Sequence, residues 1–394
     1  MPNFIAKKLK PVKYPFVKDQ VELLWEVQGR GEKLICTQSL GETFFITLKQ
    51  KSDGNFVVKG DKLSKPARIS SLQKALCFYK DNLADDILSE AIQNKSKKEP
   101  QKLASVVEDD KILELLDFIK DYDKIFIEIG FGSGRHLLFQ AKNNPDALFI
   151  GIEVYKPSIE QVSKLASVQN LQNIKLLNTD ARLFLSLVGS NIIDRIYLHF
   201  PVPWDDSPHR RVVSSEFATE CERVLKVGGV FELRSDSKMY VDFTCATFLE
   251  LRNSKISIQK NVDLEVSSKY EDRWKSQDKD IFDLFYTAKS QSDELVALDD
   301  MVFTDTYDTK KVVQNFKNET IKYDDFFVHF EEIYHNKNGI VVIRVAFGSF
   351  NKPEHSFIKF EDKKCEYFIK KPLLTRTNLQ AHEKIKEILA KCKA

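Results

Sequence analysis

The chain is 394 residues long, 42% hydrophobic and 30% charged, a composition that excludes a disordered chain and suits two or three folded domains. Its 60 basic and 58 acidic residues leave a formal charge of only +2, which at face value argues against a nucleic-acid binder. By segment the balance separates: residues 1–102 carry 19 basic against 12 acidic residues, 103–290 carry 24 against 29, and 351–394 carry 11 against 6.

An acidic middle therefore lies between basic ends. No apolar run approaches the roughly 20 residues that span a bilayer, and the lysine-bearing N-terminus lacks the apolar stretch of a secretory signal. Cys36, Cys77, Cys221, Cys245, Cys365 and Cys392 form no Cys-x-x-Cys pair. Neither a metal site nor a disulfide framework is expected from them, and a reducing cytoplasm is the setting they fit.

Residues 17–62 alternate apolar runs (QVELLWEV, KLICT, ETFFITL, NFVVKG) with Gly31, Gly41 and Asp53-Gly54, which predicts a small antiparallel sheet or barrel. Helical spacing of Leu72, Ala75, Leu76, Tyr79, Leu83, Ile87 and Ile92 predicts a helix over Ile69 to Gln93. The polar run 94–102 reads as a linker. From 103 onward, strand-like runs at 124–129, 147–153, 174–178, 194–200 and 228–235 alternate with helical segments near 134–144, 157–169, 181–188 and 214–226. That alternation predicts an α/β unit with a parallel sheet and right-handed crossovers. A helix near 238–253 and strands near 256–264 and 280–287 complete it. After a polar stretch, residues 326–371 read as a β-meander and Asn378 to Lys391 as a helix. The domains that follow are a small β-rich domain with a helix at 1–98, an α/β domain at 103–290, and an α+β region at 291–394.

The segment IFIEIGFGSGRHLL (125–138) places Gly130, Gly132 and Gly134 between a strand and a helix. Glycines there let the backbone turn tightly and approach a ligand, and the helix start offers free amides to a carboxylate or phosphate. The spacing is G-x-G-x-G, not the dinucleotide G-x-G-x-x-G. Three acids sharpen the choice of ligand. Glu128 precedes the glycines, Glu153 closes the second strand where it can accept ribose hydroxyls, and Asp180 follows the third, where it can accept the adenine amino group. These carboxylates suit an amino group, a ribose and a sulfonium and would repel the pyrophosphate of NAD, so S-adenosylmethionine is the better ligand. Beyond the fourth strand, LHFPVPWDDSPHRRVV (198–213) offers Trp204 as a stacking face and Arg210 and Arg211 as charge for phosphate.

The run EIGFGSG, GIEVYKP, NTDA, HFPVPW, HRRVV, LKVGGVFELRSD, SKYEDR and DIFDLFY over about 124–287 resembles the bacterial tRNA (guanine-N7)-methyltransferase family in order and spacing. The resemblance implies a Rossmann-like methyltransferase domain that uses S-adenosylmethionine to methylate N7 of a guanine (position 46, variable loop) in tRNA. Glu128, Glu153 and Asp180 fall on the family's cofactor positions. Asp236, Ser268 and Glu271 fall on positions that contact substrate, with Ser268 replacing the usual Thr. One departure matters: the family motif F-P-D-P-W carries an Asp held to be catalytic, and Val202 stands there. Asp205 or Asp206 is the candidate to supply the missing carboxylate.

The flanking regions lie outside the motifs. Their lysines, foremost KKLKPVK (7–13) and those of 363–371, are candidates for tRNA phosphates, although caps or an oligomer interface would also explain these regions. Competing readings are a methyltransferase for another RNA base or a small molecule, and an RNA-binding protein whose transfer centre has decayed. The intact glycines and acids speak against decay. No metal and no membrane partner is expected, and the oligomeric state is left open.

Overall fold

The computed structural model describes residues 2–66, 68–92, 105–107, 111–266, 271, 277–295, 298–350 and 352–394, with only the main chain described at His209. The linker reading at 94–102 and Ser268 lie outside them. The chain divides into two compact units: one combines Met1–Lys97 with Leu298–Ala394, and the other is Lys98–Ala297.

In chain order the first unit begins with β1 (Asn3–Leu9), β2 (Phe16–Lys18), β3 (Val21–Gln28), β4 (Lys33–Ser39), β5 (Glu42–Gln50), β6 (Phe56–Gly60), α1 (Ile69–Leu83) and β7 (Ala84–Ala91). Helix α1 is shorter than its apolar spacing predicts. At Ala84 the chain becomes extended and β7 pairs antiparallel with β1, so Ile87 belongs to a sheet edge. The backbone groups of 84–91 gain a ladder partner that local periodicity does not reveal.

The second unit contains β8 (Val106–Val107), α2 (Ile112–Phe118), β9 (Ile125–Ile129), α3 (Arg135–Asn143), β10 (Leu148–Ile152), α4 (Lys156–Val168), β11 (Ile174–Leu177), α5 (Ala181–Leu187), β12 (Ile193–His199), α6 (Ser215–Val224), β13 (Leu225–Ser235), α7 (Lys238–Leu249), β14 (Ser254–Lys260) and β15 (Phe282–Ala288). Its sheet runs β14-β15-β13-β12-β9-β10-β11-β8. Strands β8 to β13 pair in parallel, and β15 enters antiparallel between β13 and β14. The strand order reverses at β9, which has β10 on one side and β12 on the other. In such sheets the crevice beyond the strand tips at this switch point takes the ligand. This is the doubly wound α/β architecture that the strand–helix alternation predicts.

The chain then returns to the first unit with α8 (Thr309–Asn315), β16 (Thr320–Lys322), β17 (Phe326–His335), β18 (Val341–Ser349), β19 (Glu354–Glu361), β20 (Lys364–Phe368) and α9 (Arg376–Leu389). The regions 1–98 and 291–394, read from sequence as two separate parts, share one sheet, in which β17 lies beside β3 through a His335–Gln28 pairing. Tyr334, Val342 and Phe357 pack with Val27, Leu34, Cys36 and Phe45 in one core cluster. Arg344 crosses the same seam, donating to Asp61 (2.9 Å) and approaching Glu32 (3.4 Å).

Candidate active site

Between Ile129 and Arg135 the chain passes from a strand tip into a helix on the sheet face. Gly130, Gly132 and Gly134 take φ values of 70°, 50° and 71°, a left-handed conformation that costs L side chains roughly 1–2 kcal/mol. Their surroundings differ. A Cβ on Gly134 would lie 2.4 Å from Val162 Cγ2, so that glycine serves the packing of α3 on α4. A Cβ on Gly130 or Gly132 would meet nothing nearer than 4.0 Å, which leaves open space above their backbone.

Glu153 stands at the tip of β10 with its carboxylate fixed by main-chain donors. Its Oε1 accepts from the N–H of Val154 (2.8 Å) and Tyr155 (3.0 Å), and its Oε2 accepts from Gly132 N–H (3.1 Å). Asn178, beyond β11, donates to the carbonyls of Glu153 (2.9 Å) and Val154 (3.0 Å) and so ties two strand tips together. Asp180 is turned onto its own helix. It caps α5 by accepting from Arg182 N–H (2.9 Å), and it also receives Arg182 Nε (3.0 Å) and Nη2 (2.8 Å).

Glu128 points inward. It is 4% exposed, and its Oε2 lies 2.8 Å from His136 Nδ1 in the first turn of α3. A second buried group adjoins this pair. His199 Nε2 and Arg195 Nη2 reach the two carboxylate oxygens of Glu232 at 2.9 and 2.8 Å, and the His136 and His199 rings are 4.6 Å apart. Burial opposes a charge on His136, but the Glu128 carboxylate outweighs it and the histidine's pKa is raised. Burial alone would raise Glu232, yet His199 and Arg195 hold it below the ordinary carboxylate value. Tyr197, beside them, is pushed up to about 12, chiefly by burial. Sequence reasoning missed this network, although its signal was present. In DRIYLHF, Arg195, Tyr197 and His199 alternate with Ile196 and Leu198, which marks one polar strand face.

The loop beyond β12 turns through left-handed residues at Phe200 (φ 49°) and Trp204 (φ 47°). Val202 is 61% exposed at its tip. Arg210 lies over the Trp204 ring at 4.9 Å, and both are exposed. Arg211 does not face solvent. It is buried, donates Nε to Pro203 O (2.8 Å), approaches Asp205 Oδ1 (3.3 Å), and lies against Tyr240 and Phe243. The expectation that Arg211 meets phosphate is therefore corrected: it braces the loop. Asp206 is exposed and makes no hydrogen bond or ion pair among the described residues.

Asp236, after β13, is paired with Lys279 (3.2 Å). Glu271 is 1% exposed and bonds Arg234 (2.9 Å), whose other guanidinium nitrogen binds Asp283. A side chain so enclosed supports the fold. Glu271 thus stands on Arg234 in this structure, while direct substrate contact by it is what the family resemblance implies.

A family model described as "Putative methyltransferase" matches residues 122–284. A tRNA (guanine-N(7)-)-methyltransferase of Campylobacter fetus subsp. fetus is 51% identical over 394 residues, 99% of either chain. One of Wolinella succinogenes is 34% identical over 400 residues, 99% of this chain and 100% of the other. A solved structure of the 16S rRNA methyltransferase KamB, 19% identical, covers 46% of this chain and 94% of its own, with a TM-score of 0.36. The matches to the relatives run through both terminal regions, well beyond the motifs at 124–287.

Proposed function

The chain belongs to the tRNA (guanine-N7)-methyltransferase family, and from that premise we propose how its residues hold cofactor and base. The enzyme uses S-adenosylmethionine to methylate N7 of guanine in tRNA. We assign the target to guanine 46 of the variable loop.

The observation that supports the site most strongly is the Glu153 carboxylate at the tip of β10 fixed by the Gly132 amide beyond β9, beside the switch point. A carboxylate offers about four acceptor positions, and three are taken by main-chain donors, so Oε2 retains one for a ribose hydroxyl. The open space over Gly130 and Gly132 admits the cofactor's methionine end close to the backbone. Glu128 does not offer a free carboxylate: it acts through His136, shaping the floor beneath the glycine turn. Asp180 sets the adenine-side rim through its cap on α5.

S-adenosylmethionine supplies a methyl group on a sulfonium. Guanine N7 has a free lone pair, so no base has to remove a proton there, and the protein's task is in-line placement. Methylation leaves positive charge on the purine. A carboxylate that accepts from N1 and N2 both fixes the base edge and stabilises that charge. Val202 cannot do this. Asp206, exposed and uncommitted, is the residue we assign to it, while Asp205 shares Arg211 and maintains the loop. The Trp204 face away from Arg210 is the stacking surface, and Arg210 also offers charge to an adjacent phosphate. Asp236, on the adjoining strand tip, lies on a family substrate position.

The six unpaired cysteines support a cytoplasmic setting, and no helix among the described residues is long and apolar enough to cross a membrane. Calorimetric titration with S-adenosylmethionine tests the cofactor site: binding by the wild type, weakened at least tenfold by Glu153→Gln, is expected. Absence of binding, or an unchanged affinity in the variant, would contradict the arrangement.

A further inference from the structure

One face of β5, β6 and β1 is basic in a way the sequence does not display. The register sets Lys59 beside Asn3 and Thr47, and Val57 beside Ile5 and Lys49. Strand alternation adds Lys7 to the same face. Phe4, Ala6, Val58 and Leu48 point the other way, into the core under α1. From strand separation and rise, Lys49 and Lys59 are diagonal neighbours with Cα atoms roughly 8 Å apart. The partly buried Ile5 and Val57 lie among the lysines and support their stems.

Charge is sorted between the two sides of these strands. Glu42 on β5 bonds Arg68 and Ser71 at the start of α1, and Glu90 on β7 bonds Lys80 of α1. Lys10 is likewise paired with Asp85, and Lys33 with Glu26. By contrast Lys7, Lys49 and Lys59 make no hydrogen bond or ion pair among the described residues. Strands β5, β6 and β1 bring no acid to their face. Asp86 of the adjoining β7 stands opposite Lys7 in register but makes no ion pair with it among the described residues, so three lysines at sheet spacing stay unpaired and suit an anionic partner that is extended and repeating.

We propose that this face binds the phosphodiester backbone of tRNA away from the methylated base, with Lys7, Lys49 and Lys59 as phosphate contacts and Lys51, beside Asp53, at its margin. The assignment rests on the tRNA reading above and extends it to the first unit. It also divides the lysines that sequence alone grouped together. Lys10 is spent on Asp85 and Lys371 on Asp300 (2.8 Å), so neither is a main contact. The affinity gained is electrostatic and independent of sequence, and it holds the tRNA body while the second unit acts on the guanine.

The test compares the full-length wild type, a Lys7→Ala/Lys49→Ala/Lys59→Ala variant, and a control of equal charge, Lys317→Ala/Lys337→Ala/Lys391→Ala. Unmodified tRNA is the ligand, and binding is measured across a salt series together with methyl transfer. Each phosphate contact contributes about 0.7–0.9 to the slope of log K against log salt. The face variant should lose roughly 2 from that slope and raise KM for tRNA on the order of tenfold, with kcat at saturating tRNA preserved. The control should match the wild type. An unchanged slope and KM in the face variant, while the wild type methylates tRNA, would overturn the face and leave the enzyme reading standing. An equal loss in the control would also overturn it, as a general charge effect. A wild type that neither binds nor methylates tRNA would overturn both. If the alanine variant fails to fold, Lys7→Gln/Lys49→Gln/Lys59→Gln removes the same charges with longer side chains and carries the same expectations.

Discussion

His136 Nδ1 lies 2.8 Å from Glu128 Oε2, with both side chains buried directly beneath the glycine turn. The acid that opens the glycine motif is thus bound to the helix that the motif starts. Glu232, Arg195, Tyr197 and His199 face the imidazole from β13 and β12, and Gln140 from its own helix. A histidine whose folded pKa exceeds its unfolded value adds stability that is complete below about pH 6.5 and fades as pH rises through the folded value. Replacing His136 with Ala leaves Glu128 buried and unpaired, a loss of about 3–5 kcal/mol near neutral pH. In denaturant titrations the gap between wild type and His136→Ala should narrow from pH 6 to pH 9. A gap that widens would contradict the charged pair.

The glycines separate a packing role from a ligand role. Gly134→Ala combines left-handed strain with a clash at Val162, and should cost about 2–4 kcal/mol of stability. Gly132→Ala carries the strain but no clash, and its methyl would enter the open space above the turn. We expect a smaller loss of stability and a cofactor affinity lowered on the order of tenfold or more. Thermal unfolding and cofactor titration on the two variants distinguish the effects.

Asp205 and Asp206 are neighbours with different commitments. Asp206→Ala should lower the methyl-transfer rate on the order of 10- to 100-fold with unchanged melting. Asp205→Ala should release the Arg211 brace, raising KM for tRNA more than it lowers kcat. Equal rates in both variants and wild type would remove the carboxylate from the mechanism.

The Arg234–Asp283–Glu271 group is enclosed, with every side chain at most 2% exposed. Breaking it by Asp283→Ala removes one partner of a buried cation, a change worth about 3–5 kcal/mol. Glu271→Gln should likewise lower the melting temperature. If Glu271→Gln instead melted normally and lost only tRNA turnover, its placement as a support would be wrong.

Much of the second unit was legible in the sequence, because buried parallel strands and amphipathic helices leave different periods. The runs at 124–129 and 174–178 fall within a residue of β9 and β11. The roles of individual side chains were less legible. Glu153 stands where a strand-end acid was expected, but the identity of its amide donors depends on the approach of Gly132, which only the folded turn provides. Arg211 and Glu271 look like surface charges in the sequence because nothing local reports their burial. The first unit was hidden for a different reason. The seam that joins Tyr334 to Val27 and Arg344 to Asp61 links segments about 300 residues apart, a non-local pairing that no window along the chain contains.

The most direct measurement is transfer of tritiated methyl from S-adenosylmethionine to unmodified tRNA, followed by mapping of the labelled base. Label is expected on N7 of a single guanine in the variable loop, and it should be lost when that guanine is replaced. Label on another base, or no transfer to tRNA by an enzyme that binds the cofactor, would contradict that expectation.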